Sequence, residues 1–239
     1  MPDKPNTTFY FISDIHLTDE KSERRQHLTE FLQHLRGKSS ELFIVGDLFD
    51  FWFEYKYVIP RAHFDILCLL NEIVESGCPV HLLTGNHDFW VDSFFSDELN
   101  IQIHQEPVET NLNGKRIYIS HGDGLARNDV GYRFLKKILQ NPLNIKLFRL
   151  IHPDVGYGMA HFFSRLSRNH GKLKDDSDYT QHARDKFNQG FDYVIMGHTH
   201  QPRRIEENGK IYVNTGDWIN HYTYAQLENG DLILKHWLS

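Results

Sequence analysis

Seven residues of metal-ligating type recur in this chain at the ends of short apolar runs. Asp14-Ile-His16 follows Thr8–Ile12, Gly46-Asp47 follows Leu42–Val45, and Gly85-Asn86-His87-Asp88 follows Val80–Leu83. His121-Gly-Asp123 follows Arg116–Ile119, and Gly197-His198-Thr-His200 follows Tyr193–Met196. The alternate spacing in Asp-x-His and His-x-His lets both side chains leave one side of an extended segment. Carboxylate, imidazole and amide ligands together suit Mn, Fe or Zn. Asp14, His16, Asp47, Asn86, His121, His198 and His200, with Asp47 shared, would hold two ions. Two ions roughly 4 Å apart activate a water and clamp both oxygens of an in-line phosphoryl displacement. Taken singly, a strand-end Asp or His is more often a cap or a surface group, and Asn86 and Asp88 could be turn residues. The recurrence after five separate runs is what points to a site.

The apolar runs must position these groups. They are short, continuous and bounded by turn residues, which predicts buried strands. Between the first three, Glu20–Leu35 and Arg61–Glu75 carry helical patterning. That alternation predicts βαβ units with right-handed crossovers. In open α/β sheets, ligands bind beyond the C-terminal strand ends, so five segments would deliver their polar groups to one edge. Ile211–Asn214, Tyr222–Leu227 and Leu232–Trp237 predict further strands, with turns at Asn208-Gly209 and Asn229-Gly230, the second a hairpin. Repeats, low-complexity tracts and linkers are absent, so one domain over residues 1–239 is expected.

The composition is that of a globular protein, with 40% hydrophobic and 24% charged residues, but 16 histidines in 239 residues is high. The net charge of -6 argues against a general nucleic-acid binder. That average conceals an asymmetry. Gly131–Lys174 holds nine Lys and Arg against one acid, Asp154, a net of +8, so the remainder carries −14. Phe134, Leu135, Ile138 and Leu139, then Leu147, Phe148, Leu150 and Ile151, give this stretch helical patterning. It lies between the fourth and fifth motifs, which predicts a helical cap inserted over the sheet edge at about residues 127–190. A basic amphipathic helix suits an anionic membrane surface. Arg165 and Arg168, at i,i+3 spacing, could both face phosphates, although the same charges could form a solvated face. Cys68 and Cys78 are expected as buried free thiols, as in a reducing compartment. With no signal-type N-terminus and no apolar run of about 18 residues, a cytoplasmic protein is expected, peripheral on the inner membrane at most.

Asp-x-His, Gly-Asp-x-x-Asp, Gly-Asn-His-Asp, His-Gly-Asp and Gly-His-Thr-His, in this order, resemble the calcineurin-like metallophosphoesterases over essentially the whole core. The resemblance implies an α/β fold, a β-sandwich of two sheets flanked by helices, in place of a single sheet. It implies that Asp14, His16, Asp47 and His200 hold one metal, and that Asp47, Asn86, His121 and His198 hold the other. It also implies a catalytic His87 beside the scissile phosphate, oriented by Asp50. Such an imidazolium could stabilise transition-state charge or protonate a leaving oxygen.

Within the family, Gly46-Asp-Leu-Phe-Asp-Phe-Trp-Phe53, Gly85-Asn-His-Asp-Phe89 and His121-Gly-Asp-Gly124 through Gly131-Tyr132 resemble the UDP-2,3-diacylglucosamine pyrophosphatases of lipid A synthesis. That branch implies a nucleotide-diphospho-lipid substrate, cleaved to UMP and 2,3-diacylglucosamine 1-phosphate. It also implies two divalent ions, Mn foremost with Fe or Zn as alternatives, and no nucleic-acid partner. Asp129 and Tyr132 fall in the stretch that contacts the nucleotide. The chain departs from the best-known members at His87, where they carry Arg, and at Asp50, where they carry Glu. Two other readings remain: a phosphoesterase of the same superfamily acting on a nucleotide, phosphoprotein or nucleic acid, and a non-catalytic protein-binding scaffold on the same fold.

Overall fold

In the computed structural model the first apolar run is strand β1, Thr8–Ile12, which pairs in parallel with β2, Ser40–Val45. β2 pairs in parallel with β3, Val80–Leu83, and β3 with β4, Gln102–His104. The structure describes residues 7–38, 40–88, 90–126, 130–159 and 176–237. In the register Ile12 lies opposite Ile44, and Ile44 opposite Leu82. The segments carrying Asp14, Asp47 and Asn86 therefore leave the sheet at one edge.

Two antiparallel strands complete this sheet, β10 (Thr223–Glu228) beside β1 and β11 (Asp231–His236) outermost. A second sheet runs β5-β6-β7-β9-β8, with β5 Val108–Leu112, β6 Lys115–Ser120, β7 Tyr193–Met196, β8 Arg203–Glu207 and β9 Lys210–Asn214. Here β6 and β7 are parallel, with Ser120 opposite Met196, so His121 and His198 also leave together.

The single-sheet picture gives way to the two-sheet sandwich. Phe9, Phe11, Phe43, Val45 and Leu83 of the first sheet pack on Ile117, Ile119, Ile195, Ile211 and Val213 of the second. Parallel strands buried on both faces need a second cover, and helices supply it. Helices α1 (Glu23–Leu35) and α2 (Phe64–Glu75) lay Leu28, Phe31, Leu32, Ile66, Leu70 and Ile73 on the outer face of the first sheet. On the outer face of the second, helix Ser177–Asn188 buries Tyr179, Ala183 and Phe187 against Tyr118, Val194 and Tyr212. Ser177–Asn188, inside the stretch expected as cap, is thus a layer of the sandwich.

After the short core helix α3 (Phe94–Leu99), the cap begins with α4 (Val130–Leu139) and α5 (Pro142–Phe148), and residues 153–159 are also helical. It exposes Phe134, Leu135, Leu143, Leu147 and Leu150, the last 82% accessible. Phe148 anchors it, with its ring 4.6 Å from Phe53 and 5.3 Å from Trp90. Trp90 Nε1 donates to the Leu139 carbonyl at 2.9 Å, and Arg149 pairs with Asp92 at 2.7 Å. Phe148→Ala removes the apolar part of this hold and should speed amide exchange across Val130–Phe148 by roughly ten-fold or more, while core amides keep their protection. Uniformly faster exchange throughout the chain would show that the cap is not a separate unit of stability.

Among the described residues, no helix is long and apolar enough to cross a membrane. Both thiols are free, but only Cys78 is buried; Cys68 is exposed on α2, where Leu67, Leu69 and Leu70 take the inward positions. The short polar strands went unanticipated. β4 has three residues, and β8, Arg-Arg-Ile-Glu-Glu, is a charged edge strand of the kind that resists edge-to-edge pairing.

Candidate metal centre

All seven ligand-type residues come together at the shared strand edge. Asp14, His16 and His200 offer ligand atoms within 4.8 Å of one another, and so do Asp47, His121 and His198. Asp47 joins the two groups. Its Oδ2 lies 3.6 Å from His16 Nε2 and 3.3 Å from His121 Nε2. Asn86 Oδ1 sits 3.2 Å from His121 Nε2, which is also 3.2 Å from His198 Nδ1. His200 Nε2 lies 3.5 Å from Asp14 Oδ1.

The backbone turns sharply to achieve this. Asp14, His16, Asp47, His198 and His200 all adopt positive φ, between 47° and 70°. Asp and His tolerate the left-handed region better than most residues, but it still costs on the order of 1 kcal/mol each. Strain repeated at residues of one chemical type is a mark of function. Fixed contacts hold the turns: the Ile15 and His16 amides donate to the Asp47 carbonyl, and the His198 amide to Asp14 Oδ2 at 2.8 Å.

The donor set fits divalent cations. Asp14 Oδ1 and both nitrogens of His16 are buried with no hydrogen-bond partner, an expensive state that a metal would relieve. The charges lean the same way. Burial alone would raise the Asp14 carboxyl, yet His16, His121 and His200 bring it down to about 2. Burial opposes charge on His121, but neighbouring Asp47 holds the imidazolium and pushes it up to about 10. Burial likewise works against Asp47, yet His121 and His87 hold it well below the usual carboxylate range. Asp14 and Asp47 are thus held as carboxylates, the form that ligates a cation.

His87 lies at the same centre, its ring edge-on to His16 with centroids 4.6 Å apart. Its amide donates to Asp47 Oδ1 at 2.9 Å. The expected orientation by the Asp50 carboxylate takes another form. His87 Nδ1 lies 2.9 Å from the Asp50 carbonyl oxygen, whereas Asp50 Oδ1 faces His16 Nδ1 at 3.9 Å. The Trp52 amide bonds the His87 carbonyl, so the two backbones run side by side and the carbonyl reaches the ring first. Tyr132 donates to Asp123 Oδ2 at 2.6 Å, and Lys136 reaches the same oxygen. Asp129, Arg165 and Arg168 lie outside the described residues.

The calcineurin-like phosphoesterase model matches residues 7–202. The chain belongs to this family. A UDP-2,3-diacylglucosamine hydrolase of Porphyromonas gingivalis is 28% identical, covering 95% of this chain and 96% of that one. One from Neisseria meningitidis serogroup B is 29% identical, covering 93% and 94%. The structure of vacuolar protein sorting 29 from Cryptosporidium parvum shares the fold, with a TM-score of 0.50, 13% identity and 97% of each chain covered.

Family membership brings a divalent metal centre, and this phosphoesterase supports it with two more carboxylates, Asp88, which the sequence offered as a turn residue, and Asp217, which sequence reasoning missed. Asp88 is fully buried and accepts amide protons from Asp47, Leu48 and Gly85, bracing the Asp47 turn. Burial and the nearby Asp47 raise it to about 6. Asp217 faces His200 from the end of β9. Asn214-Thr-Gly-Asp217 follows the strand anticipated at Ile211–Asn214, so the rule that found the other five strand ends would have found it.

Proposed function

We propose that this phosphoesterase hydrolyses the pyrophosphate of UDP-2,3-diacylglucosamine, releasing UMP and 2,3-diacylglucosamine 1-phosphate. The observation that carries the reading is a mainly apolar cavity of about 600 Å³ between core and cap, with Asp19, Arg61, His152 and Asp154 also on its wall. Phe51, next to Asp50, lines it with Phe53, Tyr55, Ile59 and Tyr157. A phosphoesterase of wholly polar substrates has no need of such a chamber, whereas acyl chains do. At the cluster itself, Thr84, Glu106, Ser120, His121, Asp123 and Lys136 line a polar cavity of about 240 Å³, suited to the nucleotide half. The hydrolases of Porphyromonas gingivalis and Neisseria meningitidis support the same substrate.

In this reading Asp14, His16, Asp47 and His200 hold one ion, and Asp47, Asn86, His121 and His198 the other. Mn suits the mixed oxygen and nitrogen set, with Fe or Zn as alternatives. The ions supply Lewis acidity and neutralise charge at the phosphorus. His87 Nδ1–H donates a hydrogen bond to the Asp50 carbonyl, which fixes the ring. When the ring is protonated, Nε2–H is the second donor, available to a phosphoryl or leaving oxygen. Asp50 acts on this ring through its main chain, and through its carboxylate on His16. Tyr132, held against Asp123, borders the nucleotide side. Lys137 and Lys146, beside the exposed apolar side chains of α4 and α5, support docking of the cap on an anionic bilayer such as the cytoplasmic face of the inner membrane.

Mn-loaded protein should release UMP from UDP-2,3-diacylglucosamine, and the deacylated nucleotide sugar should be turned over at least about 100-fold less efficiently, because burial of acyl chains contributes several kcal/mol. Equal turnover of the two would sink the lipid assignment. No UMP with Mn, Fe or Zn would remove this substrate altogether.

A further inference from the structure

Of the four ligand-type histidines, His16, His121 and His198 are buried and His200 is open. Its side chain is 35% exposed, against 4% for His16 and 1% for His121. Packing therefore cannot hold its ring from every side, and its backbone, at φ 60°, is strained. Its Nε2 faces Asp14 Oδ1 at 3.5 Å. Its Nδ1 faces Asp217 Oδ2 at 3.4 Å.

Asp217 is itself firmly placed. The residue is 1% exposed. Its Oδ1 accepts the amide protons of Ile219, Asn220 and His221 at 3.1, 2.8 and 3.1 Å, and lies 3.2 Å from His221 Nδ1. One carboxylate oxygen is thus spent on a turn, while the other is aimed at the imidazole. A buried carboxylate offering one oxygen to a histidine nitrogen selects the tautomer in which that nitrogen carries the proton.

We infer that Asp217 is the positioning residue for His200, keeping the proton on Nδ1 and presenting the Nε2 lone pair beside Asp14 to a divalent cation. The inference rests on the reading of His200 as a metal ligand. Carboxylates that bond the far nitrogen of a ligating histidine fix its orientation and raise its basicity, and their loss typically weakens metal binding about 10–100-fold. The feature is local. His121 Nδ1 lies instead 2.8 Å from the Val45 carbonyl oxygen, so the two ions would depend on different supports. Loss of Asp217 should therefore loosen one ion and spare the other.

The test titrates the full metal-free chain with Mn²⁺ alone and follows free Mn²⁺ by its electron paramagnetic resonance signal. The proteins are the parent, Asp217→Asn, His200→Ala and the double variant. Asn keeps an oxygen for the three turn amides but offers His200 no anion. Near-UV circular dichroism checks that the turn holds, and Asp217→Ser takes the place of Asn if it does not. Asp217→Asn should weaken one Mn²⁺ site about 10–100-fold and leave the other unchanged. His200→Ala should weaken the same site, and adding Asp217→Asn to it should cost nothing more, because the two act as a unit. Two sites of parental affinity in Asp217→Asn, with one weakened in His200→Ala, would overturn the inference and leave His200 a ligand. A double variant weaker than His200→Ala by the full Asp217→Asn factor would also overturn it. Unchanged Mn²⁺ binding in His200→Ala would remove the ligand reading and the inference with it.

Discussion

Replacing Asp47 by alanine should lower turnover by at least about 10³-fold and weaken both Mn²⁺ sites together. No other carboxylate of the cluster is so placed. One oxygen lies between His16 and His121, at 3.6 and 3.3 Å, and the other accepts the His87 amide at 2.9 Å. Its loss would take a ligand from each of the two proposed ions, the counter-charge from His121 and the anchor of His87 in one step. Asp47→Asn separates these roles. The amide oxygen can keep the His87 bond, so the thermal midpoint should stay close to the parent while activity falls as in the alanine variant. Metal content and steady-state kinetics on the two proteins check both statements. An alanine variant that keeps two ions and more than about a tenth of parental kcat would exclude the shared-ligand role.

Gly46→Ala should be nearly as damaging without touching a ligand. A methyl group at that position would stand 2.3 Å from His121 Nδ1 and 3.0 Å from the Gly85 backbone, at a φ of +88°. The imidazole would have to leave its place by the Val45 carbonyl, and displacement of a reacting group by about 1 Å costs on the order of 10²-fold in rate. Steric and backbone strain together should cost about 2–4 kcal/mol of stability. Gly77→Ala is the control. Its φ is +93°, but no atom lies within 4 Å of the added methyl, so about 1 kcal/mol of strain should appear with kcat unchanged. Urea midpoints and kcat for the pair isolate the contact from the conformation. Equal loss of activity in both would mean that backbone strain alone is responsible.

The strand-end rule worked because each run ends in a polar group that cannot stay in the sandwich. Thr8–Ile12 and Val80–Leu83 have the bounds their apolar runs suggest, and Asp14 and Asn86 follow within a few residues of each end. The rule fails where burial does not dictate the pattern. β8 is a strand because its backbone pairs with β9, and charged side chains at an edge leave no apolar trace. Helix Ser177–Asn188 has only three fully inward residues, Tyr179, Ala183 and Phe187, so it reads as part of a polar insertion although it covers the second sheet. The role of Asp50 was illegible for another reason. Which end of a residue meets its neighbour, carbonyl or carboxylate, depends on how two backbones run past each other.

The two sheets contribute to the cluster in nearly equal parts. Asp14, His16, Asp47 and Asn86 hang from the first, and His121, His198 and His200 from the second. A metal pair held as proposed would be a clasp across the sandwich as well as a reagent. Unfolding the sandwich would then require letting go of the ions, so free metal adds to stability by mass action, about 2.7 kcal/mol at 100 times Kd. A cell short of the metal would hold less of the enzyme as well as slower enzyme, and abundance and activity would fall on the same titration curve.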